Sequence, residues 1–159
     1  MFRISRLCKV HFLWFHLFVT LILSFIFFIW IYRFGGLVIV DKILKGNRSA
    51  VYATLAQISG SLLGFVIAAL SIIIGYSTSE KFDFLRKSRH YPTLWKVLLS
   101  TIRVLSLTTI CMIIGLIFDR DAFPIDTILC ISVYCLLLSC FRIYSCLWII
   151  ENVVYLIIR

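Results

Sequence analysis

Long apolar stretches separated by short polar clusters make up most of this chain. Uncharged or nearly uncharged runs occupy residues 13–32, 51–76, 97–118 and 125–150. Each run matches or exceeds the roughly 20 residues that an α-helix needs to cross the hydrocarbon layer of a bilayer. The pattern predicts an all-α, polytopic membrane protein with four transmembrane helices, called spans 1 to 4 here, in one domain covering residues 1–159.

The amino-acid composition supports the same class. The chain has 159 residues, of which 62% are hydrophobic, whereas soluble domains average roughly 45–50% apolar residues. The basic N-terminus followed by an apolar run is reminiscent of a secretory signal. However, the run from Leu13 to Tyr32 is long, rich in Phe and Trp, and is not followed by a small-residue cleavage motif. We therefore predict an uncleaved first span.

The distribution of Lys and Arg between the loops predicts the orientation. With four spans, the N-terminus, the loop between spans 2 and 3 and the C-terminus share one side, which carries nine Lys and Arg residues against five on the other. Because cytoplasmic loops are enriched in Lys and Arg, both termini are expected in the cytoplasm. We accordingly expect a multi-pass protein of the bacterial inner (plasma) membrane.

The net charge of +9 is better explained by lipids than by nucleic acid. Basic residues at the ends of membrane helices set topology and contact anionic headgroups, and the chain has no room for a soluble nucleic-acid-binding domain. No catalytic constellation, metal-ligand spacing or phosphate-binding loop is present in the sequence. We therefore expect membrane lipids as partners, no direct nucleic acid, no cofactor or metal, and no enzymatic activity.

Span 2 has a face made of small and polar residues. Alternating steps of four and three select Thr54, Gln57, Ser61, Gly64, Ala68 and Ser71, continued by Ala50 and Gly75 at the two ends. A second seam, with steps of four, contains Ala56, Gly60, Gly64 and Ala68 and includes a Gly-x-x-x-Gly unit. Small residues allow helices to approach closely, whereas a small and polar face also suits a narrow hydrated path. Tight packing within the bundle and a pore or inter-subunit face both remain open.

Two arginines interrupt the later spans. Arg103 lies in span 3, and Arg142 lies in span 4 on a face with Ser132, Cys135, Ser139 and Cys146. Charged residues inside a membrane are expensive and mark functional sites by default. Both could snorkel to the headgroups, or they could set charge selectivity or gating at the mouth of an oligomeric pore.

The loop predicted for residues 80–96 is basic and rich in aromatic residues. Lys81, Arg86, Lys87 and Arg89 are its candidates for binding lipid or a partner. On the predicted topology this loop lies in the cytoplasm, where a soluble sensor or defence protein could reach it.

The segment of residues 50–110 resembles a recurring type of small bacterial membrane protein. It contains the runs TLAQISGSLLGFVIAALSIIIGYSTS and FLRKSRHYPTLWKVLLSTIRVLSL, a small-residue span followed by a basic loop. The resemblance is to four-span membrane effectors of antiphage defence, the group that includes the membrane component of the lambda phage exclusion system. It implies an ion-conducting effector that depolarises the cell, as in abortive infection, when triggered.

These observations predict a homo-oligomeric membrane pore or pore-like effector that perturbs membrane integrity or potential. Several copies are expected because four helices of one chain cannot enclose much of a channel. The alternative is a non-conducting membrane anchor or adaptor that recruits a soluble partner through its basic loop. In that case the small face of span 2 serves packing only.

Overall fold

A computed structural model describes residues 4–76, 91–121 and 124–158 of the chain, and these residues form five helices. The helices are α1 (Ile4–Arg33), α2 (Gly36–Leu44), α3 (Arg48–Tyr76), α4 (Tyr91–Phe118) and α5 (Asp126–Ile158). Four stretches are long and apolar enough to cross a membrane, namely Phe15–Arg33, Arg48–Gly75, Leu94–Phe118 and Asp126–Trp148. The predicted all-α, four-span membrane fold is confirmed.

Two glycines turn the chain between α1 and α3. Gly35 and Gly46 have φ values of 68° and 80°, in the left-handed region that glycine adopts without steric cost. The next residue, Gly36, lies against the ring of Trp30, where an added Cβ would be 2.7 Å from the nearest ring atom. The Gly35–Gly36 pair in the sequence predicts a break in the helix, and the structure has that break, with α2 folding back against the end of α1.

The spanning helices pack in the order α3, α4, α5 and α1. Leu94 and Leu98 of α4 and Cys146 of α5 form a buried apolar cluster, against which Val66, Leu70 and Ile73 of α3 pack. Nearer the other end of α3, the hydroxyl of Thr109 in α4 donates to that of Ser59 at 3.0 Å. Since α3 and α4 contact each other along most of their lengths, they form the central antiparallel pair of the fold.

Many large apolar side chains lie on the outside of the bundle, and many hydroxyl groups lie between the helices. Large apolar side chains such as Phe18, Phe65 and Leu107 are exposed, whereas Thr101 and Thr108 are fully buried. This distribution suits a bilayer, because lipid offers no hydrophobic drive for helices to associate and small or polar side chains hold them together instead.

The start of α4 differs from the predicted loop boundary. The helix begins at Tyr91, so residues 91–96 of the predicted basic loop are helical, and Leu94 is already buried in the bundle. The sequence places the boundary at Lys96, the last charged residue before the apolar run of span 3. Pro92 lies at the second position of α4, where a proline is tolerated because the first helical N–H groups have no partner within the helix.

Two glycines in the α3–α4 pair should respond differently to the same substitution. A Cβ at Gly115 would lie 2.6 Å from the Tyr52 ring, whereas a Cβ at Gly64 would have nothing within 4 Å. We expect Gly115→Ala to lower the free energy of unfolding by about 1–3 kcal/mol through overpacking. Gly64→Ala should change the free energy of unfolding by less than about 0.5 kcal/mol. Unfolding in mixed micelles measures both, and equal effects would contradict the packing described.

Candidate functional site

The small and polar face predicted for span 2 lies on the outside of the protomer. Thr54, Gln57, Ser61, Gly64, Ala68 and Ser71 are all exposed, as are Ala50 and Gly75 at the ends of the same line. Ser61 follows the buried Tyr52 by nine positions, or about two and a half helical turns, which places it on the opposite side of α3. We call these eight residues the α3 stripe. It faces away from α4.

The Gly-x-x-x-Gly seam divides between two environments. Ala56 and Gly60 are half-buried on the side of α4, with Thr109 Cγ2 4.0 Å from the position of a Cβ on Gly60. Gly64 and Ala68 are exposed and belong to the α3 stripe. A step of four residues turns a helix by about 400°, so the seam moves about 40° around α3 at each step. The two seams therefore serve different surfaces.

The polar groups of the α3 stripe are not equally satisfied. The hydroxyls of Thr54 and Ser71 donate to the carbonyl oxygens of Ala50 and Ile67, at 2.8 and 2.9 Å. The side chains of Gln57 and Ser61, four positions apart, make no hydrogen bond with the residues that the structure describes. They lie well inside the membrane-spanning stretch that begins at Arg48. They are consequently the groups with the most to gain from a further partner.

Arg103 is also on the outer surface, but on a different helix face. It is exposed, and it follows Leu94 by nine positions, which places it opposite the side of α4 that contacts α3. No ion pair joins it to any carboxylate in the described ranges. A long side chain in this position can extend along the helix to reach the headgroups.

Arg142 is buried between α1 and α5. Its side chain is 3% exposed and lies near the imidazole of His16 in α1. The His16 ring packs on Phe141 with the ring centroids 5.4 Å apart, and its Nδ1 lies 3.1 Å from the hydroxyl oxygen of Ser145. The hydroxyl of Thr20 donates to the carbonyl of His16. We call this group the His16 cluster.

The predicted polar face of span 4 is the inner seam of the bundle. Ser132, Ser139, Arg142 and Cys146 are buried, and Cys135 is half-buried. The hydroxyl oxygens of Ser139 and Thr108 are 2.6 Å apart across the α4–α5 contact, and Thr108 also donates to the carbonyl of Cys135 at 3.2 Å. These are hydrogen bonds between helices, so this face serves packing within the protomer.

The most heavily bonded polar cluster lies at the other end of the bundle. Asp119, fully buried after the end of α4, accepts from Arg48 at 2.7 Å, from the hydroxyl of Tyr52 at 2.7 Å and from the backbone N–H of Ile125 at 2.8 Å. Arg48 also pairs with Asp41 of α2. We call Arg48, Asp119, Tyr52 and Asp41 the Asp119 cluster. It joins α2, α3 and the α4–α5 connection.

Sequence reasoning did not anticipate either cluster. Arg48 and Asp119 lie in loops of the predicted topology on the same side of the membrane, where they could pair, but no local pattern in the sequence indicates that they do. His16 and Thr20 stand four positions apart on one face of α1, which was the available signal for a polar contact in span 1.

The candidate site residues therefore fall on three separate surfaces. The α3 stripe faces outward, Arg103 lies on the outer face of α4, and Arg142 is enclosed between α1 and α5. The structure does not bring the two arginines together with the stripe in one protomer. The four basic residues proposed for partner or lipid binding, Lys81, Arg86, Lys87 and Arg89, lie outside the described residues.

The geometry defines a multi-pass helical membrane protein with a stripe of small and polar residues on one outer surface. No protein-family model, no curated protein and no solved structure matches the chain. The resemblance to antiphage membrane effectors stays a prediction, and so does the orientation of the termini.

The Asp119 cluster gives a stability prediction. Arg48→Met would leave the buried carboxylate of Asp119 without its cation, which costs about 3–5 kcal/mol when one partner of a buried ion pair is removed. Arg120→Met removes an exposed arginine next to Asp119 and should change the free energy of unfolding by less than about 0.5 kcal/mol.

The double variant Arg48→Met/Asp119→Leu should recover part of that loss. Recovery should be incomplete, because Tyr52 and the N–H of Ile125 would lose their acceptor. Unfolding in mixed micelles measures each variant. A double variant no more stable than Arg48→Met alone would contradict an ion pair at this position.

Proposed function

We propose that the protein is a homo-oligomeric membrane pore or pore-like effector in which the α3 stripes of several copies face one another. The observation that carries the proposal is the exposure of Gln57 and Ser61, without a hydrogen-bond partner in the described chain, on the outward side of a membrane-spanning helix. In a single protomer, lipid would surround the side chains of Gln57 and Ser61 on this side of α3.

The energetic argument rests on the cost of a polar group in hydrocarbon. An amide transferred from water to an apolar environment without a hydrogen bond costs roughly 2–7 kcal/mol, depending on the reference state. The carboxamide of Gln57 has two donors and an acceptor, and its place inside the span keeps it from bulk water. Contact with a second copy or with a column of water would supply the missing partners.

The shape of the α3 stripe agrees with contact between copies. Gly64 and Ala68 present little side chain, and no heavy atom lies within 4 Å of a Cβ placed on Gly64. Small residues on an exposed helix face let the backbones of two helices approach each other. Thr54 and Ser71 already bond to their own helix and can line a narrow polar path without an added desolvation cost.

The other candidate residues have different parts in this proposal. Arg103 lies on a face of α4 turned away from α3, so it would act on charge selectivity from outside the ring of stripes or through lipid. Arg142 would act through the His16 cluster, by changing how α1 packs on α5. The setting in antiphage defence rests on the resemblance stated above.

Bulky substitutions in the α3 stripe test the proposal. Ser61→Leu and Gly64→Leu should reduce ion leakage from liposomes to that of protein-free vesicles, because they block close approach and replace a polar lining by an apolar one. Ile72→Leu, at an exposed position of α3 outside the stripe, should leave leakage unchanged. Membrane insertion is checked by carbonate extraction.

Full leakage by both stripe variants would overturn the proposal. So would the absence of conductance from the purified protein in planar bilayers, with and without cell extract from phage-infected bacteria. That second result would favour the alternative of a non-conducting adaptor. Charge reversal at Arg86, Lys87 and Arg89 would then be the variant expected to abolish function.

A separate prediction concerns assembly. Gln57→Leu removes the amide that gains most from a neighbouring copy, so the oligomer should dissociate at a lower detergent-to-protein ratio than the original protein. Ile67→Leu, an exposed apolar position of the same helix, is the matched control. Chemical cross-linking at increasing detergent-to-protein ratios measures the change, and equal cross-linking of both variants would show that Gln57 takes no part in the contact.

A further inference from the structure

A partly open cavity of about 260 Å³ lies at the end of the bundle that holds the Asp119 cluster. It is lined by Phe27 of α1, Ile43 of α2, Tyr52 and Leu55 of α3, and Ser132 and Leu136 of α5. We call it the α2 crevice, because α2 covers it. Its volume is just below the roughly 300–1,000 Å³ typical of small-molecule pockets, which suits a narrow occupant.

Two of the polar side chains that reach the α2 crevice are already in use, whereas the buried hydroxyl of Ser132, which also lines it, has no hydrogen-bond partner among the described residues. The hydroxyl of Tyr52 donates to Asp119, and the guanidinium of Arg48, which also borders the space, binds Asp119 and Asp41. The surface that remains accessible in the crevice is apolar. A polar ligand would find few partners there, whereas a hydrocarbon chain would gain dispersion contacts on several sides.

The location of the crevice favours a lipid as the source of that chain. Phe27, Leu55 and Leu136 belong to stretches that cross the membrane, so acyl chains are the surrounding solvent.

One exposed cation lies next to the crevice lining. Lys45 directly follows Ile43 and Leu44, which line the crevice, whereas Lys42 lies on the opposite side of α2 from these residues. The carboxylate of Asp41 is already paired with Arg48, and that of Asp121 accepts from the backbone N–H of Gly46 at 3.1 Å. Lysines next to a bilayer surface attract anionic lipid with about 1 kcal/mol each.

We propose that the α2 crevice binds one acyl chain of an anionic phospholipid, whose phosphate lies at Lys45. The acyl chain provides the fit. The lysine provides the preference for an anionic headgroup, because lipid tails are as apolar as the side chains that line the crevice and do not discriminate by themselves.

Native mass spectrometry of the full-length protein tests the proposal, with the protein released from nanodiscs that contain equal amounts of phosphatidylglycerol and phosphatidylcholine. One phospholipid per protomer should be retained, with phosphatidylglycerol in excess. Leu55→Trp should displace it by filling the crevice. Ile58→Trp, at an exposed position outside the lining, should retain it and shows that a new tryptophan in α3 is tolerated.

The headgroup is tested separately. Lys45→Ala should lower the ratio of retained phosphatidylglycerol to phosphatidylcholine about fivefold, the factor that corresponds to about 1 kcal/mol. Lys42→Ala, on the opposite side of α2, should leave the ratio unchanged. Lys96→Ala, an exposed lysine at the opposite end of the bundle, should leave the ratio unchanged.

Three results would overturn the proposal. The first is retention of no phospholipid by the original protein, and the second is equal retention by Leu55→Trp and Ile58→Trp. The third is a phosphatidylglycerol preference that Lys42→Ala or Lys96→Ala lowers as much as Lys45→Ala does. None of them depends on whether the α3 stripe conducts ions, so this test and the leakage test are independent.

Discussion

The buried ion pair between Arg48 and Asp119 is the interaction on which the arrangement of helices depends. Asp119 lies in the connection between α4 and α5, and Arg48 begins α3, so their contact at 2.7 Å fixes where α3 lies relative to the other two helices. Tyr52 and the N–H of Ile125 fill the remaining acceptor positions of the carboxylate. A buried charge is tolerable when its hydrogen bonds are complete, as they are here.

The rest of the α3–α4 contact follows from that anchor. The Tyr52 ring bonded to Asp119 occupies the space above Gly115, where no larger residue fits, and one face of α3 then continues along α4 through Ser59 to Leu70. Among the described helices, α3 has its extensive contacts with α4 alone. The side of α3 with Tyr52, Ser59 and Val66 faces α4, so the opposite side, with Gln57, Ser61 and Gly64, is exposed. The exposure of the α3 stripe is thus a consequence of how the protomer packs.

Polar residues have two different roles in this membrane domain. Thr108 with Ser139, between α4 and α5, and Ser145 with His16, between α1 and α5, hold helices together through hydrogen bonds within the protomer. The polar groups of Gln57 and Ser61 have no such bonds in the described chain. The first set explains why the bundle is stable, and the second explains why we propose that it assembles further. The α2 crevice, by contrast, presents an apolar surface to the surrounding lipid.

The sequence by itself determined the four-span fold, the break at Gly35 and the two-sided character of α3, because hydropathy, glycine conformation and helical periodicity are local properties. It also identified the residues of the α3 stripe and the common face of Ser132, Ser139 and Arg142. Only the tertiary structure decided that the first face is outside and the second inside, since the same 3.5-residue period suits either. Arg48 and Asp119 are 71 positions apart in the chain, and His16 and Ser145 are 129 positions apart. Such pairing depends on how the helices pack.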